Sequence, residues 1–254
     1  MQSLQGKCGL IIGVANAQSI AWGCARQLKA AGARSAITYL NAKAENHVRP
    51  LAEQIEAELI LPCDVEQPGQ LEAVFAALEQ HWGQLDYLIH SIAYAPLADL
   101  HGRLVDCSTA GFLRAMDVSC HSLIRMAKLA EPLMPKGGTL LTMSYLGAER
   151  VVEHYGLMGP VKAALESTVR YLAAELAERG IRVHAISPGP MPTRAASGIA
   201  HFDTLMQAAM AKSPQHQLAT PDDVGQLASF LISDAARVLT GSTHYVDAGY
   251  HIMG

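Results

Sequence analysis

Short apolar runs alternate along the chain with longer segments in which apolar residues recur every three or four positions. The short runs predict strands over residues 8–12, 35–40, 59–63, 85–90, 139–143, 182–186 and 243–246. The first, CGLII, is apolar at every position, as a strand covered on both faces would be. The longer segments predict helices over 19–31, 43–56, 70–82, 108–133, 162–179, 203–212 and 221–232. Gly32 and Gly180 supply stop signals after two of them. Pro50 is expected to kink or split the second helix. Pro135 and the Gly137-Gly138 pair close what reads as one long helix over 108–133.

Strands alternating with helices of ten or more residues predict a parallel sheet covered on both faces. The expected fold is an α/β, doubly wound, Rossmann-like domain with a seven-stranded parallel sheet flanked by helices. No linker, repeat or low-complexity stretch divides the chain, so residues 1–254 are expected to form one domain. Half of the 254 residues are hydrophobic and 17% are charged, which excludes a disordered chain. The net charge of −4 speaks against nucleic acid as a partner. The cysteines, Cys8, Cys24, Cys63, Cys107 and Cys120, are odd in number and show no metal or disulfide spacing. No His, Glu and Asp set has metal-ligand spacing either. No apolar stretch reaches the ~18–20 residues needed to cross a bilayer. Residues 1–7 run directly into a strand without a signal peptide, so a cytoplasmic location is expected.

In such a sheet, ligands bind outside the carboxyl ends of the strands. After the first strand come Gly13, Val14 and Ala15, then Ser19 as an expected helix N-cap. Small residues there let the backbone approach a pyrophosphate, and the helix start offers N–H groups and a positive dipole end. An ordinary tight turn would look the same. After the second strand, Leu40 and Asn41 stand where an acidic residue would grip the adenine ribose. After the third, Asp64 could accept from an adenine amino group with Val65 against the ring, or could cap the next helix. After the fourth, the small residues of Ser91-Ile92-Ala93 allow close approach to the second ribose. Tyr155 and Lys162 are seven residues apart, about 700° of helix and within about 20° of one face. A nearby ammonium is expected to lower the phenol's pKa and make Tyr155 a proton donor. Pro160 requires that Tyr155 lie at or before the helix start. His154 beside it reads as a solvated side chain. No GxSxG elbow suggests a hydrolase.

Together these residues resemble the short-chain dehydrogenases/reductases and, within them, the bacterial enoyl-acyl-carrier-protein reductases of the NADH-dependent type. The resemblance spans about residues 3–250. Its marks are Gly13-Val14-Ala15 with Ser19-Ile20-Ala21, Cys63-Asp64-Val65, Ser91-Ile92-Ala93, LTMSYLGAER over 141–150, Tyr155-x6-Lys162, AISPGP over 185–190 and AASGI over 195–199. Most of the superfamily has Tyr-x3-Lys; the wider spacing marks the enoyl reductases. The resemblance implies NADH as cofactor, with NADPH possible. It implies cofactor contacts at Gly13, Ala15, Ser19, Ile20, Leu40, Asp64, Val65, Ser91, Ile92, Ala93, Lys162, Met191, Thr193 and Ala195. It further implies Tyr145, Tyr155 and Lys162 as catalytic residues, and substrate contacts at Ala95, Tyr145, Tyr155, Ile199 and Phe202. The implied substrate is an enoyl thioester on acyl carrier protein or CoA, and the implied assembly a homotetramer. Residues 191–206 are expected to close as a lid over the nicotinamide, with an apolar face toward the acyl chain. Leu40, the Pro160-Val161 pair and Pro188 depart from the family pattern. The alternatives are a related reductase acting on a ketone or another activated alkene, and a dinucleotide-binding protein without turnover.

Overall fold

The computed structural model describes residues 3–194, 196 and 202–253. Seven parallel strands form one sheet: β1 (Cys8–Ile12), β2 (Arg34–Tyr39), β3 (Leu59–Pro62), β4 (Tyr87–His90), β5 (Gly138–Met143), β6 (Ile181–Pro188) and β7 (Thr243–Val246). Their order is β3-β2-β1-β4-β5-β6-β7. The chain starts in the middle, winds to one edge, returns to β4 beside β1 and winds to the other edge. The crevice between β1 and β4 is therefore the topological switch point. Register is set early, with Gly9 opposite Tyr87 and Ile12 opposite His90.

The strand residues alternate between two apolar cores, as a period of two requires. Leu10, Ile12, Leu88, Leu140, Val183 and Ala185 face one core, together with α3 (Gln70–Trp82), α6 (Ser122–Ala130) and α7 (Met158–Leu176). Ile11, Ile37, Ile89, Leu141 and Ile186 face the other, with α1 (Ile20–Ala30), α2 (Ala42–Gln54) and α9 (Pro221–Ile232). Thr220 closes a capping box with Asp223 at the start of α9, with Pro221 in its favoured first position.

Two expectations about helices are corrected. Pro50 does not split α2, which runs unbroken from Ala42 to Gln54. The expected single helix over 108–133 is α5 (Thr109–Met116), a π turn (Asp117–His121), α6 and a 3-10 turn (Glu131–Leu133) in unbroken succession. A short α4 (Leu97–His101), absent from the periodicity, leads into it. Between β6 and α9 lies α8 (Phe202–Lys212).

Candidate active site

The carboxyl ends of β1, β4, β5 and β6 open on one side of the sheet, and the expected site residues follow those ends. Gly13 directly follows β1 with φ +113, a backbone region that side chains rarely enter. A Cβ there would lie 2.0 Å from the Ser91 carbonyl oxygen. Only glycine lets the first loop lie so close against the end of β4. Ser19 occupies the N-cap position of α1 but makes no capping bond, contrary to expectation. The loop turns back on itself, and the Ser19 hydroxyl instead accepts from the backbone N–H groups of Ala15 (3.0 Å) and Asn16 (3.1 Å). The hydroxyl thus shapes the loop and leaves the first-turn amides of α1 uncapped by a side chain. Ile20 opens the helix and packs against the second core.

Leu40, after β2, is 55% exposed, and Asn41 caps α2 by accepting from Ala44 N. Asp64 does not cap the next helix; Gly69 holds that position. The Asp64 carboxylate accepts from Glu66 N in a local turn. Val65 is buried in the first core, and its carbonyl accepts from Arg125 of α6 at 2.8 Å. Beyond β4, Ser91 and Ile92 are half-buried and Ala93 is exposed. This segment is clasped by Ser119 of the π turn. Its hydroxyl accepts from Tyr94 N (2.9 Å) and donates to the Tyr94 carbonyl (3.1 Å). Arg114 of α5 stacks over the Tyr94 ring and pairs with Glu66 through two bonds. The segments after β3 and β4 are thereby linked through one guanidinium.

At the end of β5, Tyr145 and Tyr155 lie with ring centroids 4.8 Å apart. They share one apolar cluster with Ala95, Leu100, Leu157, Met158 and Val161. Ala95, Tyr145 and Tyr155, expected as substrate contacts, are thus brought together. A Cβ on Gly147 would lie 2.3 Å from the Tyr155 ring, so this glycine is the seat of that ring. The Tyr145 hydroxyl is buried with no hydrogen-bond partner. Tyr155 lies three residues before the start of α7, and Pro160 falls in its first turn. Tyr155 thus lies before the helix start, as Pro160 required, so the seven-residue spacing does not put it on a shared helix face with Lys162. A turn with positive φ at His154 and Gly156 presents the tyrosine instead.

Lys162 is buried and donates from Nζ to the Met143 carbonyl at 2.6 Å. Burial pulls its pKa down to about 8, opposed by Cys120 and Glu166. The expected lowering of the Tyr155 phenol is not found. Burial pushes it well above its ordinary value, and Tyr145 and Glu166 add to the rise. Burial likewise pushes Tyr145 up. Both phenols are neutral donors across the working pH range.

His90, the last residue of β4, sits beneath the site, fully buried. Ser122 Oγ donates to the Val118 carbonyl, so it accepts from His90 Nε2–H at 2.8 Å. His90 Nδ1 then accepts from Thr142 Oγ1 at 2.8 Å. Burial pushes the histidine down to about 3, with the Lys162 charge in the same direction.

Met191 is buried in the second core, and Thr193 accepts at Oγ1 from Ala196 N. Ala195 and Ile199 lie outside the described residues, as does much of the expected lid segment. Phe202 begins α8 and is half-buried. A cavity of about 320 Å³ separates α8 from the segment after Tyr145, with Leu146, Val152, Leu205, Ala208, Tyr250 and Met253 among its lining. Among the described residues, no group of three or more His, Cys, Asp or Glu could hold a metal ion. Sequence reasoning missed Ser119, Arg114, Arg125 and Gly147. Only Gly147 left a trace, a glycine set after the bulky Tyr145-Leu146 pair.

The arrangement has known counterparts. A family model described as Enoyl-(Acyl carrier protein) reductase matches residues 13–251. The NADH-dependent enoyl-[acyl-carrier-protein] reductase FabI of Bacillus cereus is 45% identical over the full length of both chains. The crystal structure of the enoyl-(acyl-carrier-protein) reductase of Anaplasma phagocytophilum in complex with NAD superposes with a TM-score of 0.96 at 46% identity. It covers 100% of this chain and 97% of that one. The Bacillus cereus reductase solved with NADP+ and an indole naphthyridinone superposes at 0.97 with 45% identity, covering 100% of both chains. A match of this extent in sequence and fold places the chain: it belongs to the enoyl-acyl-carrier-protein reductase family of the short-chain dehydrogenases/reductases.

Proposed function

We propose that Tyr155, Tyr145 and Lys162 carry out the family's reaction in this chain, the NADH-dependent reduction of a trans-2-enoyl thioester on acyl carrier protein. The observation that carries the assignment is the buried pair of neutral phenols, 4.8 Å apart between ring centroids, with a buried, partly unsatisfied ammonium held on Met143, two residues before Tyr145. One protein acceptor, the Met143 carbonyl, is seen for three Lys162 N–H donors. The Tyr145 hydroxyl has none. Buried donors of this kind fit a ligand that supplies the missing acceptors.

The residues also fit a dinucleotide. The first turn of α1 carries no side-chain cap, and the loop before it is held flat by Gly13 and Ser19. Asp64 and Val65 would serve the adenine end, and Ser91, Ile92 and Ala93 the middle. Met191 and Thr193 follow β6 on the nicotinamide side. The bound cofactor would supply a hydride to the β-carbon of the substrate. Lys162 would orient a ribose hydroxyl. As charge develops on the thioester oxygen, the Tyr155 hydroxyl would donate to it from a fixed position, and burial makes that bond stronger than in water. Tyr145, stacked at an angle on Tyr155, would hold the thioester in place. Leu146, Leu205 and Ala208 would receive part of the acyl chain in the cavity beside α8.

NADH is favoured over NADPH because residues 38–44 offer no arginine for a 2′-phosphate, and Lys43 is exposed. Exposed apolar residues along α5 and before it support a homotetramer. Leu104, Val105, Phe112 and Leu113 are all exposed, and with Pro160 most of them line a groove of about 440 Å³. A cytoplasmic location fits five free cysteines, four of them buried. Among the described residues, no helix is long and apolar enough to cross a membrane.

The test is direct. Purified protein with NADH and crotonyl thioester should consume the near-ultraviolet absorbance of the reduced nicotinamide, faster than with NADPH. Activity confined to 3-oxoacyl substrates would overturn the assignment. Light scattering should report four copies per particle.

A further inference from the structure

One helical turn beyond Lys162, α7 carries a carboxylate that the scheme above does not use. Glu166 is 5% exposed, and its Oε1 accepts from the Ser144 hydroxyl. Ser144 is the residue between Met143, whose carbonyl holds Lys162, and Tyr145. Residues four apart lie on one face of a helix, with Cβ atoms about 5–6 Å apart. Glu166 is therefore bonded to the strand end that carries two parts of the site, and it stands on the same helix face as the third.

A buried ammonium needs a counter-charge or it gives up its proton. The groups facing Lys162 come from three elements. Cys120 belongs to the π turn, His90 to the end of β4, and Glu166 to α7 itself. His90 is neutral, because burial holds it down at about 3. The carboxylate in this set is Glu166. Its own surroundings are Ser144 just after β5, Thr243 of β7, Glu149 further on and Arg170 of α7, and its charge is also felt by Tyr155 and Tyr245. Burial raises its pKa, while the bonds from Ser144 and Thr243 favour the ionised form.

We propose that Glu166 is a positioning residue of the reductase site, anchoring Ser144 at the end of β5 and acting as the buried counter-charge that keeps Lys162 protonated toward the cofactor. The inference rests on the assignment of Lys162 to the cofactor ribose. A glutamine could accept the Ser144 bond equally well, so a merely structural residue would tolerate Glu166→Gln. A counter-charge would not.

The test is the pH profile of NADH affinity, read by nicotinamide fluorescence on the full chain without thioester. In the unaltered protein, affinity should fall as pH rises through about 8, as Lys162 loses its proton. Glu166→Gln should move that fall downward by about one pH unit and weaken binding at pH 8 about five- to tenfold. Glu166→Asp, which keeps the charge and loses reach, should restore the midpoint. Ser144→Ala should lower turnover while leaving the midpoint in place. An unmoved midpoint in Glu166→Gln overturns the counter-charge. An unaltered chain that binds no NADH at any pH overturns instead the cofactor reading beneath it. Should Glu166→Gln fail to fold, carbon NMR of labelled glutamate in the unaltered chain decides the matter. An ionised Glu166 carboxylate at pH 7 is expected, and a protonated one overturns the proposal.

Discussion

The loop after β1 and the Tyr145–Lys162 region serve the same site by different means. The first is built from main chain. Gly13 removes a side chain, Ser19 ties two backbone amides, and residues 15–18 between them are half-buried or exposed. The second is built from buried side chains: two phenols in one apolar cluster, together with a buried ammonium, carboxylate and imidazole. Holding a phosphate asks mainly for N–H groups in the right place, which any small residue supplies. Directing a proton asks for particular groups in particular ionisation states, and burial is what sets those states here.

If that contrast is right, the deepest losses should come from the second region. Tyr155→Phe should lower turnover about 10²- to 10³-fold, the usual cost of one such donor, with NADH affinity nearly unchanged by fluorescence titration. Equal turnover would remove the phenol from the chemistry. Next in size is Gly147→Ala, whose methyl would press on the Tyr155 ring. Overpacking of this kind costs about 1–3 kcal/mol, and it should appear both in denaturant unfolding and in kcat.

Acid should also act through the buried region. His90 takes its proton in the folded chain only near pH 3, against an ordinary value of 6.5. The unfolded chain therefore binds the extra proton first. The stability that His90 contributes is complete above about pH 6.5 and is lost as pH falls from there toward 3, at about 1.4 kcal/mol per pH unit. Unfolding measured from pH 7 to 4 should show that slope, and His90→Gln should flatten it. The smallest effect is expected in the main-chain region. Ser19→Ala should raise the KM for NADH a few-fold, at a cost of about 1 kcal/mol for the lost bonds, and leave kcat in place. A kcat effect as large as that of Tyr155→Phe would erase the distinction between the two regions.

The same contrast explains what could be read from the chain in advance. Strands were legible because they are apolar on both faces, and the long helices because each buries one stripe; α3 and α9 match their expected spans, 70–82 and 221–232, residue for residue. The enoyl-reductase signature was legible at Tyr155 and Lys162 because spacing is written in sequence. Ionisation was not. The phenol rises rather than falls because burial dominates, with Tyr145 and Glu166 adding to it, and burial is a property of the folded neighbourhood. Ser119 was invisible because its partner, Tyr94, is 25 residues away, and an uninterrupted helical pattern concealed the π turn that aims it. Pro50 misled because its position was judged by rule alone; α2 carries it near an exposed surface without breaking.

That π turn has a consequence for how the chain tolerates insertion and loss. It works as a phase shifter between two amphipathic stripes. Before it, Ala115 faces the cluster around the two tyrosines; after it, Leu123, Met126, Ala127 and Ala130 face the core beneath the sheet. Each residue of an α-helix advances the face by about 100°. Deleting one residue between Asp117 and His121 would straighten the backbone into regular hydrogen bonding and look conservative on paper. It would leave the two stripes nearly aligned, because five residues of wide π turn and four of α-helix advance the face by about the same angle. Forcing all five residues into α-helix would instead rotate one stripe against the other by about 90°, so that the chain could satisfy the tyrosine cluster or the core, but not both.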